Sequence, residues 1–128
     1  MKEYKDIPQH VLDNIFTSRF IVHMDDNDTN TALNIMEWRG TSFARIYWFK
    51  DDDTNVYLEY LSVDNNFRGN GIGTELQKIR EKIGKLIGAK FTKLWVKDGA
   101  WMHDWYLRRG YKDTKDKDEY GIWMKKKL

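Results

Sequence analysis

Residues 56–88 read VYLEYLSVDNNFRGNGIGTELQKIREKIGKLIG: a strand-like run, a glycine-rich turn around a single arginine, and an amphipathic helix, without interruption. Ile72, Leu76, Ile79, Ile83 and either Leu86 or Ile87 recur every three or four positions, which draws one apolar stripe along a helix. A glycine turn that runs into a helix start leaves backbone N–H groups unpaired at the positive end of the helix dipole, and such a place seats an anion. Gly69, Gly71 and Gly73 let the backbone turn tightly and approach a ligand without Cβ interference, while Arg68 adds a fixed charge suited to bidentate phosphate contact. The expected guest is a pyrophosphate.

The Gly-x-x-x-x-Gly-Lys-Ser/Thr of a P-loop is absent, and the spacing after Gly71 does not fit Gly-x-Gly-x-x-Gly. What remains is Arg-x-x-Gly-x-Gly, written by Arg68, Gly71 and Gly73 after a strand ending in Val63 and Asp64. This arrangement resembles the acyl-CoA-binding motif of the GNAT superfamily of N-acetyltransferases. Trp105, Tyr106, Leu107, Arg108, Arg109, Gly110 and Tyr111 resemble a second family pattern: aromatic, tyrosine, three residues, glycine, aromatic. The two motifs, in order, cover residues 56–111, and the hairpin before them fits the family's second and third strands.

The resemblance implies an α+β, three-layer fold: a mixed, mostly antiparallel sheet split into a V between the family's fourth and fifth strands, with flanking helices and acetyl-CoA in the opening. It implies an acyltransferase of the N-acetyltransferase type, moving an acetyl group to a primary amine by direct attack in a ternary complex. The pyrophosphate would lie on Arg68, Gly69, Asn70, Gly71, Ile72, Gly73 and Thr74. A bulge mapping onto Leu61, Ser62 and Val63 would free backbone groups to pair with the pantetheine and polarise the thioester carbonyl. Tyr106 takes the family's role of proton donor to the departing thiolate, and Glu59 matches a glutamate that some members use, often through water, to deprotonate or hold the amine.

A carboxylate inside an otherwise apolar strand costs desolvation unless it is paired or used, so Glu59 either serves the amine, faces an open side of the split sheet, or pairs with an arginine. Asn65 and Asn66 stand where the family often has proline, which changes a turn and little else. Gly99 stands where an asparagine is often seen seven residues before the tyrosine, and this removes a side-chain contact to the CoA arm. That departure keeps open a second reading, a catalytically degenerate member that binds CoA or a partner protein.

With 128 residues, the chain is expected to be one domain over 1–128. Its 22 basic residues nearly balance 20 acidic ones, so no nucleic-acid partner is expected, Lys125–Lys127 being the one basic cluster. The absence of cysteine excludes disulfides, thiolate zinc sites and a cysteine nucleophile, and suits a reducing compartment. No apolar run approaches membrane-spanning length and residues 1–6 are charged, so the expectation is a cytoplasmic protein with no membrane partner. The amine acceptor, a small molecule or a protein amine, is not legible, and a homodimer is compatible with the aromatic-rich composition.

Along the rest of the chain, residues 8–17 read as a short amphipathic helix, and 20–24 as either an edge strand or a helix end. The polar loop 25–30 lacks the glycine and terminal glutamate of a calcium loop. Segments 32–38 and 42–49 form a hairpin signal across Arg39, Gly40 and Thr41, with Leu33, Ile35 and Glu37 on one side, and 56–63 adds a third antiparallel strand. Gly88 stops the long helix, 92–96 reads as a strand parallel to 56–63 after the crossover, and 100–109 as a second helix. A last hairpin pairs 111–113 with 120–126. His103 reads as an exposed helix histidine, His10 and His23 have no metal-ligand spacing, and no metal is expected. The six tryptophans are expected mostly in the core, with one or two lining an acceptor pocket.

Overall fold

A computed structural model describes residues 19–128, so the helix expected over 8–17 lies outside the described residues. The elements are β1 (Phe20–Asp26), β2 (Asn30–Glu37), β3 (Ser42–Phe49), β4 (Asn55–Val63), α1 (Ile72–Leu86), β5 (Phe91–Lys97), α2 (Trp101–Leu107), β6 (Lys112–Lys117) and β7 (Gly121–Lys127). The strands form one mixed sheet in the order β1-β2-β3-β4-β5-β7-β6. Neighbours are antiparallel except β4 and β5, the parallel pair that the crossover through α1 predicts.

The ambiguous segment after Arg19 is a strand, β1, paired with β2 from Phe20 opposite Glu37 to Asp26 opposite Thr31. The β2–β3 hairpin turns at Gly40 with φ 76°, and Trp38, expected at the end of a strand, sits exposed in the turn. Glu37 shares the inward side with Leu33 and Ile35 and is fully buried. It caps its own hairpin: its carboxylate accepts from the Arg39 backbone N–H (2.6 Å), Arg39 Nη2 (2.7 Å) and Thr41 Oγ1 (3.0 Å).

The hydrogen bonds from the Arg39 side chain, ahead of those from the Arg39 backbone and Thr41, hold the Glu37 carboxyl at about 2, below its ordinary 4.5, against the opposing effect of burial. A depressed folded-state value stabilises the fold above about pH 4.5 and loses that contribution as pH falls towards about 2. Glu37→Gln is therefore expected to melt lower than the wild type at pH 7, the gap closing through that acid window. Melting curves at stepped pH read this directly, and a constant gap would remove Glu37 as the acid-sensitive group.

The stripe on α1 resolves as Ile72, Leu76, Ile79, Ile83 and Ile87, all buried, whereas Leu86 is 49% exposed. The helix packs over β3, β4 and β5. At Gly84 an added Cβ would come to 3.1 Å from Val56 Cγ2, so glycine permits a close helix–sheet approach there. Gly88, at φ 86°, closes the helix as expected, with Gly88 N–H bonded to Lys85 C=O and Ala89 N–H to Gly84 C=O, both at 3.0 Å.

Helix α2 is shorter than the span 100–109, and its chain reverses at Gly110 with φ 91°. The final hairpin forms with a longer first arm than 111–113, while its second arm keeps its length one residue on from 120–126: β6 carries charged residues expected in the turn. An outermost strand tolerates them because both its faces meet water. No helix among the described residues is long and apolar enough to cross a membrane.

The V of the sheet has a visible cause. β4 and β5 pair only from Asn55 opposite Phe91 to Leu58 opposite Leu94. Just beyond, the β3–β4 register passes from Arg45–Glu59 to Ala44–Leu61, leaving Tyr60 as an extra residue at φ 47°. The bulge thus falls at Tyr60, one residue before the stretch Leu61 to Val63, which follows it along the opened edge.

Candidate active site

The turn after β4 is built from backbone conformation. Asp64 N–H bonds Thr41 C=O at 2.8 Å, which anchors the exit of β4 to the β2–β3 turn, and a single 3-10 turn over Asn65–Phe67 follows. Gly69 and Gly71 then take φ 86° and 78°, values that favour glycine, although a Cβ at either would meet nothing within 4 Å. Gly71 is the N-cap of α1, no side chain caps it, and the bond from Glu75 N–H to Gly71 C=O (2.9 Å) opens the helical ladder. The N–H groups of Ile72, Gly73 and Thr74 precede that first bond, as at any helix start.

Arg68 Nε donates to the Val63 carbonyl at 3.0 Å and its Cζ lies 5.9 Å from the Trp101 ring centroid, so the guanidinium is pinned over the turn. A second cation, Arg109, stacks with Cζ 3.5 Å from the Trp105 ring centroid and donates to Thr74 Oγ1 at 3.1 Å. Burial, and then the neighbouring charge of Arg108, hold the Arg109 guanidinium below its ordinary value.

Leu61, Ser62, Val63, Arg68, Gly69, Gly71, Ile72, Gly73 and Thr74 line a cavity of about 470 Å³. Of the residues expected at the cofactor, Asn70 alone does not line it. Phe67, Trp101, Met102 and Trp105 complete the wall and were not anticipated there; the i, i+4 pair Trp101 and Trp105 reads in sequence only as one face of a helix.

A second cavity, of about 550 Å³, lies in the opening between β4 and β5 and includes Glu59, Tyr60, Leu61, Met102, Tyr106 and Trp123. Leu61 and Met102 line both cavities, so the two adjoin. Tyr106 is 4% exposed, with its ring edge-on to Trp105 (4.9 Å) and to Tyr111 (5.2 Å). Its hydroxyl accepts from Arg80 Nη2 at 3.0 Å.

The Glu59 side chain is 39% exposed and its Oε1 lies 3.5 Å from Arg45 Nε. Glu59 therefore escapes the desolvation cost expected from its apolar strand, because the splayed sheet opens this position to water, and the arginine pairing is the arrangement present. Burial, with the Glu59 charge adding, pushes the nearby Tyr47 phenol up.

His103 lines neither cavity; its Nε2 lies 2.8 Å from Asp113 Oδ1, tying α2 to β6. Gly99 adopts φ 72° with open space around its missing side chain. The tryptophans depart from expectation: Trp48 alone among them is fully buried, Trp101 and Trp105 line the first cavity, and Trp95 and Trp123 the second. Among the described residues no cluster of three or more histidine or acidic side chains is placed to hold a metal.

Residues 4–111 match the family described as the Acetyltransferase (GNAT) family. No curated protein sequence matches the chain. Among solved structures it is similar to the PaiA N-acetyltransferase of Thermoplasma acidophilum in complex with coenzyme A, at 22% identity and TM-score 0.64, over 78% of this chain and 62% of that one. It is similar to a GNAT family acetyltransferase of Elizabethkingia anophelis with acetyl-CoA bound, at 11% identity and TM-score 0.63, over 88% and 100% of the two chains. An acetyltransferase of Thermus thermophilus aligns at 13% identity and TM-score 0.64, over 80% and 66%. At these identities the similarity is one of fold. The family match, spanning most of the chain on a sheet that opens where the signature residues lie, makes this protein a member of the acetyltransferase (GNAT) family and an acyltransferase.

Proposed function

We propose that the protein transfers an acetyl group from acetyl-CoA directly to a primary amine in a ternary complex. One observation carries this reading: of two adjoining cavities, one holds an uncapped helix start with Arg68 and the other holds Tyr106 with Glu59. The pyrophosphate sits on the turn from Arg68 to Thr74, and the pantetheine runs beside Leu61, Ser62 and Val63, past the point where β4 loses β5 as a partner. The amine enters through the second cavity. Its lone pair attacks the thioester carbonyl carbon, the C–N bond forms, the C–S bond breaks, and the thiolate takes a proton from Tyr106. The proton shed by the product nitrogen leaves through Glu59 or water. The cysteine-free composition suits this chemistry in the cytoplasm.

A thermal-shift titration with CoA, followed by thiol release from acetyl-CoA against a panel of primary amines, tests the proposal. Stabilisation by CoA together with amine-dependent thiol release is expected; no shift at saturating CoA would remove it. A shift without turnover on any amine selects the second reading, a CoA-binding member without catalysis, which Gly99 and the Glu59–Arg45 pair favour.

Glu59→Gln is expected to lower kcat/KM at pH 7 by about ten- to a hundredfold, the deficit narrowing above about pH 8 as the amine loses its proton unaided. A pH–rate profile parallel to that of the wild type would leave Glu59 only its ion pair.

A further inference from the structure

Arg80 occupies the buried stripe of α1, four residues after Leu76 and three before Ile83, where packing alone calls for an aliphatic side chain. It is 0% exposed, and among the described residues no carboxylate comes within ion-pair distance of it. A guanidinium taken out of water and met only by neutral acceptors is costly to keep, so the contacts it makes call for an explanation.

Those contacts join two walls of the second cavity. Nη1 donates to the carbonyls of Glu59 (3.2 Å) and Arg45 (3.3 Å), the register partners that flank the bulge at Tyr60. Nη2 donates to the Tyr106 hydroxyl (3.0 Å) and to Gln77 Oε1. One rigid planar fork from α1 thus holds the bulged edge of β4 and the tyrosine of α2 in a fixed relation.

The polarity of these bonds has a chemical consequence. Arginine has donors and no acceptor, so the Tyr106 oxygen must accept from Nη2 and its own proton points elsewhere. Gln77 is oriented in the same way: its Oε1 faces Arg80, and its Nε2 donates to the Tyr111 hydroxyl at 2.8 Å.

We propose that Arg80 is a positioning residue that clamps Tyr106 to the β4 bulge and orients the Tyr106 hydroxyl as a proton donor. The inference rests on the proposed function, in which Tyr106 protonates the departing thiolate. As the C–S bond breaks, its electron pair stays on sulfur and the proton passes from Tyr106 Oη to sulfur. The phenolate left behind faces the Arg80 guanidinium and regains a proton from the one released by the product nitrogen.

A double-mutant cycle tests this, with thiol release from acetyl-CoA read on wild type, Arg80→Met, Tyr106→Phe and the double variant. The acceptor is hydroxylamine, a small nucleophile that is unprotonated at neutral pH and asks little of an acceptor pocket. Arg80→Met is expected to lower kcat at least about tenfold with the KM for acetyl-CoA within about threefold, and to cost less than about twofold when Tyr106 is already Phe. Arg80→Lys, which reaches one of the two sides but not both, is expected to regain part of the rate. Arg80→Lys and Arg80→Gln run through the same cycle carry the decision if Arg80→Met does not fold.

The same loss in both backgrounds, a loss confined to KM, or an unchanged kcat would overturn the role and leave Arg80 a structural staple. A wild type without turnover on hydroxylamine and on every amine of the panel, or a Tyr106→Phe variant at full rate, removes the proposed function first and this inference with it.

Discussion

Replacing Tyr106 with phenylalanine is expected to lower kcat about a hundredfold while leaving CoA affinity within about twofold. The ring keeps its edge-on contacts with Trp105 and Tyr111, and the helix start proposed to seat the pyrophosphate belongs to α1, so that end is untouched. What is lost is the proton that the thiolate would take, together with one acceptor of Arg80. Steady-state rates beside calorimetric CoA binding separate the two effects. Turnover at the wild-type rate would end the assignment, and a matching loss of CoA affinity would show that the substitution acts through the fold.

Trp48→Ala carries the largest expected effect on stability, a loss of about 3–5 kcal/mol against a typical total of about 5–15. Trp48 is fully buried on β3 among side chains of the sheet and α1, and a cavity there cannot close without moving the strand that carries one side of the bulge. Trp101→Ala is the control: it is 63% exposed and expected to change stability by less than about 0.5 kcal/mol. Urea unfolding of both variants reads the difference, and equal losses would contradict the burial that distinguishes them.

The contrast between these tryptophans marks where sequence reading stops. Six tryptophans in a small domain read as core, yet the opened sheet places Trp101 and Trp105 at one cavity and Trp95 and Trp123 at the one adjoining it. Glu59 stayed open for the same reason: its sequence allowed a role at the amine, an open side of the sheet or an arginine partner, and the strand leaves β5 just before it, so the carboxylate meets water and Arg45. The charges of β6 read as a turn because nothing in a single strand's sequence says that it will lie at the sheet's edge. Arg80 carried only the faint signal of its spacing, four residues after Leu76 and three before Ile83, since an arginine in a helix is ordinary until the helix is rotated against its sheet.

Local sequence settles what a few neighbouring residues can encode: the stripe of α1, the stop at Gly88, the tight turn at Gly69 and Gly71, and the two motifs that name the family. These depend on helical period and on which φ values a residue tolerates, properties that act within a turn or two of chain. It took the assembled sheet and helices to settle that Ile87 rather than Leu86 is buried, that the extra residue of β4 is Tyr60, and that Arg80, Tyr106 and the bulge meet. Those outcomes turn on register and packing between segments tens of residues apart, where a shift of one residue sends every side chain of a strand to the opposite face.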